Sequence, residues 1–195
     1  MQLHLLLEQI RECNECQTHL PTGPRPIVQA AAEARILIIG QAPGRRVHQS
    51  GIPWDDPSGD RLRDWMGIDR DQFYDPKIVA IMPMGFCYPG GGNSGDLPPR
   101  KECAPLWHQP LLDQLTSIEV TLLIGNYAQA HYLPNGRSST LTANVKDWRS
   151  YAVAIFPLPH PSPRNNGWLK HNPWFIDDVL PTLRQTIARI AYCQP

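Results

Sequence analysis

Four cysteines are the residues of this sequence with the clearest capacity for chemistry. Cys13 and Cys16 form a C-x-x-C pair, and Cys87 and Cys103 bracket a loop rich in proline and glycine. A C-x-x-C pair alone serves zinc, redox and iron–sulfur sites alike. The second pair is too widely spaced for a zinc ribbon, and the first follows a predicted helix rather than the first strand, unlike a thioredoxin motif. Four thiolates on two loops therefore favour one metal site, foremost an iron–sulfur cluster, with Cys193 apart from it.

Two further segments combine stiff backbone with polar side chains, and each follows an apolar run. The first is Gly40-Gln41-Ala42-Pro43-Gly44, a tight turn whose backbone can approach a ligand closely. It matches neither the Walker loop nor the dinucleotide fingerprint. An ordinary turn without a ligand therefore remains an alternative interpretation of this segment. The second is the proline-stiffened loop His160-Pro161-Ser162-Pro163-Arg164-Asn165. A histidine held on such a loop is a candidate for function rather than for packing alone.

The elements that must position these segments alternate between strand and helix. Short apolar runs predict strands at 35–40, 78–82, 120–124 and 152–156. Helical spacing predicts helices at 3–11, from a cap at Ser58 to Gly67, between 103 and 115, at 125–133 and at 173–192. We therefore predict an α/β fold, a three-layer α/β/α domain with a central four-stranded parallel sheet, as a single domain over residues 1–195. Ligands of such sheets bind at the carboxyl ends of the strands, where both segments lie.

Composition narrows the class of protein and of partner. The chain has 195 residues, 18 basic and 18 acidic, so its net charge of zero counts mildly against nucleic acid without excluding a local basic patch. The longest apolar runs, such as Ile36–Ile39, are far too short to span a bilayer. The apolar run at the start of the chain is broken by Glu8, which predicts an amphipathic helix rather than a secretion signal. We expect a cytoplasmic monomer without disulfides and without a membrane partner.

Taken together, these segments resemble the uracil-DNA glycosylase superfamily over nearly the whole chain, nearest its family 4 branch. That branch has a Gly-Glu-Ala-Pro-Gly motif, here 40–44, then Gly-x-Pro-aromatic, here Gly51-Ile52-Pro53-Trp54. Its second motif begins His-Pro, here His160-Pro161, and the continuation Ser-Pro-Arg-Asn is similar to the single-strand-selective (SMUG) branch. Its C-x-x-C is completed by two cysteines with fifteen residues between them, as Cys87 and Cys103 are.

The resemblance implies a cofactor, a partner and residue roles. The four cysteines would hold a [4Fe–4S] cluster, and the partner would be damaged or single-stranded DNA. Trp54 would stack on an extruded base, since a base must leave the duplex to be cut from its sugar. His160 would donate to the base oxygen and Gln41 would position the attacking water. Backbone amides of the glycine-rich loop would hold phosphates, and Arg164 with the loop prolines would wedge into the gap.

Two departures from the family 4 pattern bear on the substrate. Gln41 replaces a glutamate, so a carboxylate is missing, and Asp55 or Asp56 could supply one unless both are solvated loop acids. Pro83 replaces an asparagine that reads the pyrimidine, and Asn126 is a candidate to do so instead.

Three functions compete on this basis. The first is a monofunctional DNA glycosylase for uracil or a related deaminated or damaged base, acting in base excision repair. The second is a catalytically weak or inactive damaged-DNA-binding protein on the same fold, motivated by Gln41 and Pro83. The third, a small-molecule enzyme on a flavodoxin-like sheet, is disfavoured by the missing phosphate-binding fingerprint.

Overall fold

A computed structural model describes residues 2–93, 95–134, 139–151 and 154–192 of the chain. The strands in chain order are β1 Ile36–Ile39, β2 Val79–Ile81, β3 Gly91–Gly92, β4 Gly95–Asp96, β5 Val120–Ile124 and β6 Ile155–Leu158. The α-helices are α1 Leu3–Arg11, α2 Arg45–Ser50, α3 Pro57–Met66, α4 Arg70–Tyr74, α5 Gln109–Leu112, α6 Asn126–Tyr132, α7 Leu141–Lys146, α8 Asn166–His171 and α9 Leu180–Tyr192. None of the helices within these ranges is long and apolar enough to cross a membrane.

The central sheet has four strands in the order β2-β1-β5-β6, and every neighbouring pair is parallel. This confirms the predicted fold class. Parallel strands need crossover connections, and helices provide them on both faces of the sheet. All four carboxyl ends therefore meet at one edge, and the segments after β1 and β6 leave the sheet there.

Alternation along the strands divides the core into two layers. Ile36 and Ile38 of β1 pack with α3 and α9, whereas Leu37 and Ile39 pack with α1, α5 and α6. The strands are buried on both faces, which is why they read as continuous apolar runs in the sequence.

The last of the four predicted strands corresponds to β6, which lies further along the chain than the predicted range of 152–156. It runs Ile155–Leu158, while residues 152 and 153 lie outside the described residues. Pro157 pairs with Leu123 inside the strand, although proline cannot donate to a ladder. Proline is tolerated there because β6 is an edge strand.

The third helix begins before the predicted cap at Ser58, and that cap prediction is wrong. Asp56 is the N-cap, since its side chain accepts a hydrogen bond from the Gly59 amide at 2.9 Å. Pro57 takes the first helical position, where its missing N–H costs nothing. The helix ends at Gly67 in the left-handed conformation, as predicted.

Two predicted helices contain a π-helical segment. Ala104–His108 is π-helical and leads into α5, and Phe175–Val179 leads into α9 in the same way. π-helical turns are frequent at functional sites. The first lies directly after Cys103.

Candidate functional site

A pocket of about 460 Å³ opens at the carboxyl edge of the sheet, and we refer to it as the sheet-edge pocket. It contains the following predicted site residues: Gly40, Gln41, Ala42, Pro43, Gly44, Trp54, His160, Ser162, Arg164 and Asn165. The structure thus brings the two candidate loops and the aromatic residue together around one cavity. Its remaining lining residues are Ile27, Val47, Pro53, Asp56, Ser58, Ile81, Pro83, Gly95 and Asp96.

The first loop lines this pocket, and its backbone is held in place by the segment that follows β2. Met84 and Gly85 donate from their amides to the carbonyl oxygens of Gly40 and Gln41, at 2.9 and 3.0 Å. Gly44 then serves as the N-cap residue of α2. A Cβ at position 40 would lie 2.9 Å from Cζ2 of the Trp54 ring, so glycine is needed for the ring to lie against the loop.

Trp54 forms a wall of the pocket in an unusual backbone conformation. Its φ of 57° is the one positive value found for a residue other than glycine in the described part of the chain. For a bulky side chain this is a true outlier, and such strain costs about 1–3 kcal/mol. The ring centroid lies 5.6 Å from that of His160, with 34° between the planes. One face of an indole is thus held beside an imidazole inside the cavity.

His160 is neutral near pH 7, and its tautomer follows from its hydrogen bonds. The Ser162 amide donates to Nδ1 at 3.2 Å, so Nδ1 accepts and the proton of the neutral ring lies on Nε2. Burial lowers the pKa of His160 below its usual value, while Asp56 acts in the opposite direction. Asn165 fixes the main chain by donating to the His160 carbonyl at 2.8 Å. The loop therefore presents a neutral imidazole N–H.

The two adjacent acids at 55 and 56 have different environments. Asp55 pairs with Arg70 at 2.9 Å and lies outside the pocket lining. Asp56 lines the pocket, and its carboxylate is close enough to His160 to raise the pKa of that ring. Its role as the N-cap of α3 fixes one oxygen and leaves the other, Oδ2, 4.0 Å from where a Cβ on Gly44 would lie. Asp56 is therefore the one of the two that can act on a ligand.

Sequence reasoning missed a second acid of this pocket, Asp96. It belongs to the hairpin β3–β4 inside the loop between Cys87 and Cys103, and it pairs with Gly91. Its Oδ2 lies 3.4 Å from where a Cβ on Gly44 would be. Glycines carry no periodic signal, so only the turn-like composition of the loop pointed to a hairpin.

Pro83 lines the pocket where the family 4 pattern has an asparagine, and its carbonyl is held from behind. His108 Nε2 lies 3.1 Å from the Pro83 oxygen, and its Nδ1 lies 2.6 Å from the Tyr132 hydroxyl. Nε2 must donate to the carbonyl, so Nδ1 accepts from the hydroxyl. Burial lowers the pKa of His108 to about 4, which keeps the ring neutral. The two hydrogen bonds of His108 thus fix the backbone at Pro83, but the Pro83 side chain offers the pocket no hydrogen-bond donor.

Three predicted site residues lie outside the pocket lining. Asn126 is exposed at the first position of α6, so the structure does not bring it to the other candidates. Pro161 is buried beside His160, and Pro163 is exposed in the one-turn helix Pro163–Asn165. Neither proline contributes to the lining.

The four cysteines predicted to share a site line one small cavity, which we call the cysteine cavity. All four are free thiols, and Cys16, Cys87 and Cys103 are buried. Burial, with a smaller contribution from the other thiols, raises the pKa of Cys87 to about 12 and that of Cys103 to about 11. Binding of a metal group would therefore release protons, because thiolates are the ligands.

The donors around this cavity are of the kind that an iron–sulfur cluster uses. Within the described residues, no group of three or more His, Cys, Asp or Glu side chains is placed to hold a metal ion. Cysteine thiolates are the ligands that hold iron–sulfur clusters, and the four cysteines line this one cavity. Trp107 also lines the cavity, and its Nε1–H is buried without a partner among the described residues, as a donor awaiting a sulfur would be. The cluster stays a prediction that these residues fit.

The match to known proteins agrees with this geometry. The family model for the "Uracil DNA glycosylase superfamily" matches residues 27–184. The chain belongs to the uracil DNA glycosylase superfamily. It is also similar to the Type-4 uracil-DNA glycosylase of Thermotoga maritima, with 24% identity over 167 residues, covering 82% of this chain and 81% of that protein. The resemblance to the family 4 branch is thereby confirmed.

Proposed function

We propose that this superfamily member is a monofunctional DNA glycosylase that removes uracil or a related deaminated or damaged base from DNA, the first step of base excision repair. The observation that carries the proposal is the sheet-edge pocket, in which Trp54, His160 and Asp56 surround one cavity. These three side chains supply a stacking surface, a hydrogen-bond donor and a carboxylate.

Stacking on Trp54 would offset part of the cost of extruding the nucleotide. Unstacking costs a few kcal/mol, and a base stacked on an aromatic side chain returns about 1–3 kcal/mol. The ring is already fixed against Gly40, so little further ordering is needed when the base enters. Damaged or mismatched bases leave the duplex at lower cost, which favours them as substrates.

His160 would stabilise the leaving base. Breaking the N-glycosidic bond leaves negative charge on the base and positive character on the sugar. The Nε2–H of His160 can donate to the base oxygen on which that charge develops, and loss of one such donor can cost about 3–4 kcal/mol. The neutral ring suits this role because it needs no proton from solvent.

Asp56 would replace the carboxylate that the family motif places at Gln41. An amide cannot take a proton, so Gln41 can position the attacking water without activating it. Asp56 can accept a proton from that water while the water oxygen forms its bond to the sugar carbon and the bond from the sugar to the base breaks. Its negative charge also stabilises the positive sugar. No lysine is among the described residues of the pocket lining, which favours attack by water over a Schiff base and hence the monofunctional reaction.

DNA would lie across the opening of the sheet-edge pocket, where exposed arginine side chains could contact it. Arg45 and Arg46 are exposed at the start of α2, beside Gly44 of the pocket. Arg164, an exposed residue of the pocket lining, would fill the gap left by the extruded nucleotide. The single domain over residues 1–195, the monomeric state, the cytoplasmic location and the preference for single strands remain predictions from sequence.

A [4Fe–4S] cluster, held by the four cysteines, would act as a structural cross-link between the N-terminal segment and the loop after β2. Every chemical step of base release would be carried out by residues of the sheet-edge pocket.

The test is release of free base from oligonucleotides that contain uracil, hypoxanthine, xanthine or an oxidised pyrimidine, in single and double strands. Release from any of them, lost in a His160→Ala variant, is the expected result. No release from the whole panel would overturn the proposal. Tight binding to abasic DNA without turnover would then favour the damaged-DNA-binding protein, which Gln41 and Pro83 motivate.

A further inference from the structure

A buried arginine contacts the wall of the sheet-edge pocket from outside. Arg63 of α3 is only 7% exposed, and it lies outside the pocket lining. Its Nη2 pairs with Asp60 at 2.6 Å, and that carboxylate is 74% exposed. A guanidinium taken out of water loses much of its favourable hydration, and an ion pair with an exposed partner returns little of it. Helix packing alone gives no reason for a charged group at this position.

The remaining contacts of Arg63 lead to Trp54. Nη1 donates to the Trp54 carbonyl oxygen and to the Tyr74 hydroxyl, both at 3.4 Å. The guanidinium carbon lies 5.2 Å from the ring centroid of Phe73 and 5.7 Å from that of Tyr74, so two aromatic faces hold it in place. A planar guanidinium can satisfy several acceptors at once in a fixed direction, which lysine cannot.

The residue that Arg63 contacts is the one whose backbone is strained. Trp54 has φ 57°, and its carbonyl oxygen is directed toward α3, where a Cβ on Gly59 would lie 1.8 Å from it. This carbonyl is therefore enclosed between the start of a helix and a buried cation. Strain of this kind persists only where the surroundings over-determine the conformation.

We propose that Arg63 is a positioning residue, which through the Trp54 carbonyl holds the Trp54 ring in the orientation that receives a base. The inference rests on the proposed function for the role of the ring, but the restraint on Trp54 is a property of the free protein. Arg63 acts at a distance from the substrate and takes no part in bond breaking.

The chain offers a matched control in Arg70. Arg70 also lies over the Tyr74 ring, at 4.9 Å, and pairs with Asp55 at 2.9 Å, next to Trp54 in sequence. Its side chain is 55% exposed, and none of its hydrogen bonds involves Trp54. Replacing either arginine with methionine removes one charge and one guanidinium contact with the Tyr74 ring, but only Arg63→Met also removes hydrogen bonds to the Tyr74 hydroxyl and the Trp54 carbonyl.

The first experiment is independent of catalysis. Protein labelled with 5-fluorotryptophan gives one ¹⁹F resonance for each indole, and loss of a line in Trp54→Phe assigns the one of interest. We expect a single narrow Trp54 line in wild type and Arg70→Met, and a shifted, broadened or split line in Arg63→Met. If Arg63→Met fails to fold, Arg63→Lys serves as the test variant. It keeps the charge, and its Trp54 line should also be changed. An unchanged Trp54 line in a folded Arg63 variant overturns the inference.

The second experiment separates positioning from general loss of structure. With a substrate oligonucleotide, Arg63→Met should release base about tenfold more slowly than Arg70→Met, because part of the stacking of the base on Trp54 is lost. Affinity for abasic-site DNA, which has no base to stack, should match that of wild type. An equal loss in both measurements would assign Arg63 a merely structural role. If wild type releases no base from the panel, the proposed function fails, while the ¹⁹F result still decides the role of Arg63.

Discussion

Gly59 offers the most direct test of the strained wall of the pocket. In Gly59→Ala the new Cβ would lie 1.8 Å from the Trp54 carbonyl oxygen and 2.7 Å from its carbon. Both neighbours are backbone atoms, so no side-chain rotation relieves the overlap and the segment from Trp54 to Gly59 must move. Movement would also break the bond from the Gly59 amide to Asp56, the cap of α3.

The magnitude follows from three contributions. Overpacking of this kind costs about 1–3 kcal/mol, and loss of an N-cap costs about 1 kcal/mol. Alanine gains about 0.5–1 kcal/mol over glycine within a helix. Gly59→Ala should therefore lower the free energy of unfolding by about 1–3.5 kcal/mol, which corresponds to a fall in Tm of about 2–14 °C for a chain of this size. Displacement of Trp54 should also slow base release at least tenfold, since stacking is worth about 1–3 kcal/mol.

Two further glycines make the comparison specific. Gly167 lies on exposed helix α8, and a Cβ there would meet nothing within 4 Å, so Gly167→Ala should match or slightly exceed wild type in stability. Gly40→Ala would contact the Trp54 ring, a side chain that can move, so it should impair base release more than stability. Thermal unfolding and single-turnover base release measure both quantities. If the Tm of Gly59→Ala equalled that of Gly167→Ala, the described conformation of Trp54 would be refuted.

Three other substitutions test the remaining features. Asp56→Asn keeps a good helix cap, so its Tm should be unchanged while base release falls about 10²–10⁴-fold. Asp55→Asn is the control. Equal losses of activity in the two variants would argue against Asp56 as the general base. His108 has a pKa of about 4 when folded and an ordinary value near 6.5 when unfolded. The unfolded chain thus takes up the proton first as pH falls, and stability is lost from about pH 6.5 to 4 by about 3 kcal/mol. His108→Gln should flatten this part of the curve of unfolding free energy against pH, and an unaltered slope would contradict the assignment. Cys87→Ser should lose iron, brown colour and stability, whereas Cys193→Ser should not; iron-free wild type with an unchanged melt would exclude the cluster.

Sequence was informative wherever local chemistry decides the structure. The bounds of α1 and β5 agree with the predicted ranges, because amphipathic spacing and a buried apolar run are both local signals. The end of β6 was misplaced because tolerance of Pro157 depends on the strand being at the sheet edge, which is a property of the whole fold.

The site divides in the same way. The loops that carry His160 and Gln41 were found because strand ends and turn residues mark them in sequence. The choice between Asp55 and Asp56 could not be made, since it depends on which carboxylate caps α3 and which meets Arg70. The left-handed conformation of Trp54 was equally inaccessible, because its causes lie in residues brought close only by folding.

The loop between Cys87 and Cys103 has a consequence for the cooperativity of the molecule. Both of its ends lie at the cysteine cavity, while its hairpin carries Asp96 to the sheet-edge pocket. An isolated hairpin of two residue pairs has little stability of its own. A covalent link across fifteen residues removes about 3 kcal/mol of chain entropy from the open state. A group bound by the cysteines would therefore make the pocket rim unfold together with the N-terminal helix rather than separately, so that the rim opens only when that helix also detaches.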